Sequence, residues 1–167
     1  NVIVGQSGGP TAVINSRLLG VFKTAKDRGA DIVYGMVHGI KGLLDRNIVD
    51  LSTQIKNDLD MDLLKRTPSS FLGSCRYKLP DIEGNEKTYE EIFKILKELN
   101  IYAFFYIGGN DSMDTIKKLS DYGEKIKSPI RFMGVPKTID NDLAITDHTP
   151  GYGSAAKYIA STTKEII

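Results

Sequence analysis

Apolar residues along the chain fall into two periods, short unbroken runs and longer stretches at helical spacing. Val2 to Val4 is a β-branched run that stops at "GQSGGP", which predicts a strand followed by a loop. From Thr11 to Arg28 the apolar residues Val13, Ile14, Leu18, Leu19, Val21, Phe22 and Ala25 recur at helical spacing, and Gly29 is placed to end that helix. "DIVYGMV" predicts a second strand and Leu51 to Leu64 a weaker, more polar helix. "TYEEIFKILKELN" (Thr88 to Asn100) predicts an amphipathic helix, with Thr88 as its cap and Glu91 completing a capping box. "IYAFFYIGG" then predicts a buried strand, Met113 to Leu119 a helix, "IRFMGVP" a further strand, and Gly151 onward another helix.

The alternation reads βαβ-β-αβαβα, with no internal repeat. Unbroken apolar strands separated by helices predict an α/β fold, a three-layer sandwich around a mostly parallel, Rossmann-like sheet. Such sheets bind ligands beyond the carboxyl ends of their strands. Four polar or glycine-rich loops fall at element ends, "GQSGGPTA", "FLGSCR", "GGNDS" and "PKTIDND", and together they predict one site.

Composition narrows the partners. The chain has 167 residues, enough for one domain with a sizeable core, and 41% of them are apolar. Lys and Arg total 22 against 21 Asp and Glu, a net charge of +1 that gives no reason to expect nucleic acid or an anionic membrane as partner. Cys75 is the single cysteine, so no internal disulfide forms, and the count fits a reducing cytoplasm. No apolar run approaches the ~20 residues of a membrane span, and no signal peptide is evident. Asn1 leads directly into a strand and "ASTTKEII" ends mid-helix, so the chain reads as a piece of a longer protein.

The loops suggest phosphate chemistry. Gly8 and Gly9 between a strand and a helix offer N–H groups and a helix dipole to an anion, although a tight turn needs the same glycines. Arg76 is either a bidentate phosphate grip or a surface arginine, and Cys75, with no histidine near it in sequence, reads as a small filler. The loop Pro136 to Asp142 places Lys137, Thr138, Asp140 and Asp142 just past a strand. If the loop is extended, Thr138, Asp140 and Asp142 face the same way. One carboxylate could take a proton from an attacking hydroxyl and another could hold magnesium, against the alternative of a solvated turn. His38 and His148 have no metal spacing, and Tyr102 and Tyr106 read as sheet residues.

Four stretches, "SGGPTAVIN", "SSFLGSCR", "IGGNDSMDT" and "GVPKTIDNDLAITDHTPGYGSAAKYIA", together resemble the phosphofructokinase family, in family order and over nearly the whole chain. The resemblance implies phosphoryl transfer to the 1-hydroxyl of fructose 6-phosphate, giving fructose 1,6-bisphosphate, with Mg2+ as cofactor. It implies that residues 1–167 are the donor-binding domain, ending before the sugar-phosphate domain, of a homo-oligomer, dimer or tetramer. It makes Asp140 the general base, with Lys137 and Arg76 as the other catalytic groups. Thr138, Ile139, Asp140 and Asp142 would meet the sugar. Gly8, Gly9, Arg76, Gly109, Asp111, Ser112 and Lys137 would meet the donor, and Asn110 and Asp111 the metal. Family members that use ATP have glycine or a small residue at the positions of Asp111 and Lys137, whereas members that use pyrophosphate carry Asp and Lys. The expected donor is therefore pyrophosphate, in a reversible reaction. Asp111 would exclude ATP by bulk and charge, and an aliphatic Ile40 either removes an aromatic platform for adenine or is a simple packing difference. Asn110 stands where the family usually has a metal-binding aspartate, which leaves a weakened or regulatory relative, or an ATP-dependent one, as alternatives.

Overall fold

In a computed structural model, which describes all of residues 1–167, five strands form one sheet in the order β3-β2-β1-β4-β5. These are β1 (Val2–Gln6), β2 (Val33–Met36), β3 (Ile48–Asp50), β4 (Ala103–Gly108) and β5 (Arg131–Pro136). Strand β1 runs parallel to β2 and to β4, and β4 parallel to β5; only the edge strand β3 is antiparallel. The helices are α1 (Ile14–Asp27), α2 (Gly39–Leu44), α3 (Leu51–Gln54), α4 (Asp58–Arg66), α5 (Glu86–Glu98), α6 (Asn110–Lys125) and α7 (Tyr152–Ile166). None is long and apolar enough to cross a membrane.

The period of two along each strand divides the core in half. Val2 and Val4 of β1 and Ala103 and Ile107 of β4 face one side, where they pack with Ile14, Leu18 and Phe22 of α1 and with Leu51, Ile55 and Leu64. Ile3, Phe104 and Tyr106 face the other, where Tyr89, Ile92 and Leu96 of α5 and Leu119 and Tyr122 of α6 cover them. This is the three-layer α/β sandwich expected from the alternation.

Several local expectations are corrected. The predicted helix over Leu51 to Leu64 is two helices, because Ile55 turns extended to bury its side chain and Asn57 Oδ1 restarts the helix by accepting from the Asp60 N–H at 2.9 Å. The helix predicted from Thr88 begins at Glu86, so Thr88 is no cap. Its Glu91 accepts from Arg46 and Lys94 on the surface instead of closing a capping box. The end of α1 is as expected, with the Gly29 and Ala30 N–H groups bonding back to the Lys26 and Ala25 carbonyls, both at 3.0 Å. Helix α7 buries no residue, and β5 is hydrogen-bonded along one edge only.

Candidate active site

Strand β1 leads through α1 to β2 on one side, while β4 leads through α6 to β5 on the other. The loops after β1 and β4 therefore part company, and a cleft opens between them, the expected place for a ligand in such a sheet. It has a volume of about 570 Å³ and is walled by Gly8 to Ala12, Gly109 and Asn110, Lys137 to Asp140 and the start of α7. A hollow of about 680 Å³ lies beside α1, with Val21, Ala25, Phe105 and Val135 among its lining residues, but none of the loop residues reaches it.

Gly8 holds φ at +77°, a left-handed turn that favours glycine, and lets the chain leave β1 without covering the cleft. Helix α1 begins only at Ile14, so Pro10 to Val13 separate the glycines from its first turn. Lys137 crosses beneath this loop. It is 5% exposed, and its Nζ donates to the Gly9 carbonyl. Burial pulls its pKa below the usual lysine value, offset in part by the nearby Asp140 carboxylate.

"GGNDS" is less of a loop than its composition suggests. Gly109 is the N-cap of α6 and Asn110 already its first helical residue, so the helix runs from Asn110 to Lys125 rather than Met113 to Leu119. A side chain at Gly108 would bring Cβ within 2.0 Å of Ser112 Oγ, so glycine there is what allows the helix to start against the strand. Ser112 is consequently 2% exposed and packs behind the cleft. Asn110 lines the cleft, and its Nδ2 donates to Asp142 Oδ2 at a long 3.5 Å. Asp111 is exposed in the first turn, just outside the lining, where its charge opposes the positive helix end.

The loop after β5 is shaped by its own polar groups. Thr138 Oγ1 accepts from the Asp140 N–H at 3.0 Å, and the Thr138 N–H donates to Pro150 O at 3.2 Å. Asn141 Oδ1 accepts from the Thr149 N–H at 3.0 Å, and Thr138 bridges to Gly151 at the start of α7. Asp140 and Ile139 are exposed in the cleft; Asp142 is exposed beside Asn110.

The chain matches the phosphofructokinase family over residues 1–167. It belongs to that family. It is 48% identical over 160 residues to a protein of Rhodospirillum rubrum named pyrophosphate–fructose 6-phosphate 1-phosphotransferase, covering 95% of this chain and 38% of that protein. The protein of that name from Halomonas elongata is 44% identical, with 99% of this chain and 39% of that protein covered. The crystal structure of a pyrophosphate-dependent phosphofructokinase from Nitrosospira multiformis superimposes with a TM-score of 0.90 at 42% identity, over 99% of this chain and 40% of that one. The chain thus spans about two fifths of the length of these relatives.

The remaining predicted loop, "FLGSCR", adjoins the cleft without lining it. Ser74 Oγ donates to the Gly8 carbonyl at 2.5 Å, and Arg76 is exposed beyond it. Cys75 is half-buried, with its Sγ 4.0 Å from the hydroxyl of Tyr106, whose own pKa burial pushes up. Tyr106 is a sheet residue as expected, whereas Tyr102 precedes β4 and lies exposed, with the Arg131 guanidinium 5.4 Å from its ring. Ile40 takes the packing alternative. It is fully buried among Met36, Leu43 and Tyr106, so its aliphatic character reflects core packing and carries no information about a nucleotide base. Sequence reasoning missed the α7 wall, where Ser154, Ala155 and Tyr158 face the cleft; the quoted "GYGSAAKYIA" was its only local signal.

A divalent metal could be held at this site only with few protein ligands. No three acidic, His or Cys side chains converge to make a cage of protein ligands. A divalent ion such as magnesium usually takes one or two protein oxygens and completes its shell with phosphate and water, and the exposed Asp142 carboxylate, which accepts from Asn110 Nδ2, offers such an oxygen beside the cleft.

Proposed function

We propose that this chain is the donor-binding domain of an enzyme that moves a phosphoryl group reversibly between pyrophosphate and the 1-hydroxyl of fructose 6-phosphate. The observation that carries the reading is Lys137, a desolvated ammonium beneath the Gly8–Gly9 loop. A buried cation with a carbonyl as its only hydrogen-bond acceptor is a strong site for a compact anion. The N-termini of α6 and α7 converge on the same space and add partial positive charge. The relatives named for pyrophosphate, at 44 and 48% identity, support the same donor.

In this reading Gly8, Gly9 and Gly109 bring backbone N–H groups to pyrophosphate, and Ser112 acts indirectly by seating the start of α6. Lys137 stabilises the departing phosphate, and Arg76 reaches in from the neighbouring loop to spread charge off the transferring group. Asp140 accepts the proton of the sugar's 1-hydroxyl as that oxygen attacks phosphorus. Thr138 fixes the peptide of Asp140 through its hydroxyl, while Ile139 and Asp142 border the sugar. Asn110, with Asp142 and with Asp111 behind it, would hold Mg2+, which when bound neutralises phosphate charge. Asp111 sets a carboxylate beside the start of α6, where the α-phosphate and ribose of ATP would pass.

A full-length protein carrying this chain tests the reading. With fructose 6-phosphate and Mg2+, fructose 1,6-bisphosphate should form with pyrophosphate as donor and not with ATP. Turnover with ATP alone would remove the donor assignment and leave Asp140 as base.

A further inference from the structure

Two buried amides, Gln6 and Asn15, join the end of β1 to the segment that carries Arg76. Gln6 is 0% exposed and makes four side-chain hydrogen bonds. Its Nε2 donates to the Ile14 carbonyl at 3.2 Å and to Asn15 Oδ1 at 3.0 Å. Its Oε1 accepts from the Leu72 N–H at 2.8 Å and lies 2.9 Å from Ser70 Oγ, whose single proton is shared with the Gly73 carbonyl at 2.5 Å. Asn15, 2% exposed, accepts from the Phe71 N–H at 2.8 Å and donates to the Thr67 carbonyl at 2.9 Å. Further along, Ser74 Oγ donates to Gly8 O and Ser7 Oγ to Cys75 O at 3.3 Å. The segment is thereby held at positions 67, 70, 71, 72, 74 and 75, and Arg76 follows, in no ion pair with the chain's own carboxylates.

We infer that Gln6 and Asn15 are positioning residues for Arg76. They fix the backbone from which its guanidinium reaches the phosphoryl donor. The chemistry suits the task. An amide offers donors and acceptors together, so one side chain satisfies peptide groups from α1 and from the loop at once. It does so without charge, so neither amide opposes the donor or titrates. A carboxylate at position 6 would lose both donors and face the oxygens of Ile14 and Asn15. A fully satisfied buried network also fixes a single geometry, which an apolar contact would not.

The inference rests on the assignment of Arg76 to the donor, and a double-mutant cycle separates the two. In a full-length protein carrying this chain, Gln6→Met and Ser70→Ala are made alone and with Arg76→Ala, and the KM values for pyrophosphate and fructose 6-phosphate are measured. Ser70 lies at the half-buried end of the network, so S70A carries the test if Gln6→Met fails to fold. Each single variant should raise the pyrophosphate KM by about tenfold, the scale of one buried hydrogen bond, with the fructose 6-phosphate KM unchanged. In the Arg76→Ala background the same substitutions should change neither KM. A variant that lowers Tm while leaving both KM values alone, that raises both alike, or that has the same effect with and without Arg76 overturns the positioning role. If Arg76→Ala alone leaves both kcat and the pyrophosphate KM unchanged, the assignment of Arg76 itself falls and the inference with it.

Discussion

Replacing Lys137 by methionine separates the anion-binding role of its ammonium from its role in packing. Methionine is apolar and of similar length, so the space beneath Gly8 and Gly9 stays filled while the charge is lost. A charge-assisted hydrogen bond is worth about 1.5–3 kcal/mol. A unit charge about 4 Å from another at an effective dielectric near 20 is worth on the order of 4 kcal/mol. Pyrophosphate affinity should therefore fall by roughly tenfold to a thousandfold. Stability should move the other way. Because burial lowers the pKa of Lys137 below the lysine value of 10.5, the folded state holds its proton less tightly than the unfolded chain does. The cost of its charge is fully present at neutral pH and fades as pH rises through the interval between the lowered pKa and 10.5. The variant should thus melt higher than the wild type at pH 7, and the gap should narrow toward and above pH 10.5. Titration calorimetry with pyrophosphate and thermal melts across that pH range, both on a full-length protein, read the two effects. Unchanged pyrophosphate affinity together with a lower melting temperature at pH 7 would show that Lys137 is a packing residue, and the reasoning would be refuted.

Asp140→Asn should lower kcat by about 10²–10⁴, the range for loss of a general base, with a smaller effect on KM; steady-state kinetics with kcat intact would move the base elsewhere. Asp111→Gly should admit ATP, since a carboxylate about 4 Å from a phosphate costs on the order of 4 kcal/mol, or a thousandfold. No gain in ATP binding by calorimetry would end the exclusion argument. Asn110→Asp should lower the magnesium concentration needed for half-maximal activity, and an unchanged magnesium titration would take Asn110 out of the metal shell.

The sheet was readable in the sequence because its central strands are buried on both faces, which leaves unbroken runs such as Val2 to Val4 and Ala103 to Ile107. The ends of α6 were not. Its first turn is Asn110, Asp111 and Ser112, and its last residues, Asp121 to Lys125, are mostly polar, so apolar spacing marks only its middle. Within the site, the glycines and the Lys137 to Asp142 loop are local in sequence and could be seen. The Gln6 and Asn15 network could not, because its partners lie 64 residues away for Ser70 and 56 for Phe71, and a buried amide looks like any surface one. The separation of Arg76 from the cleft lining also depends on long-range packing, here the contact between Ser74 and Gly8.

Because the Lys137 ammonium rests on the Gly9 carbonyl, the cleft contains its own competitor for anions. An incoming ion gains only the difference between itself and a peptide oxygen that is already in place and sacrifices no translational freedom to be there. Chloride or acetate, singly charged and able to meet one group at a time, improves little on that carbonyl. A multiply charged ion that reaches Lys137 and the start of α6 together improves on it considerably. The backbone of one glycine would thus act as a threshold, keeping the common small anions of the cell from holding a cation that the fold has largely buried.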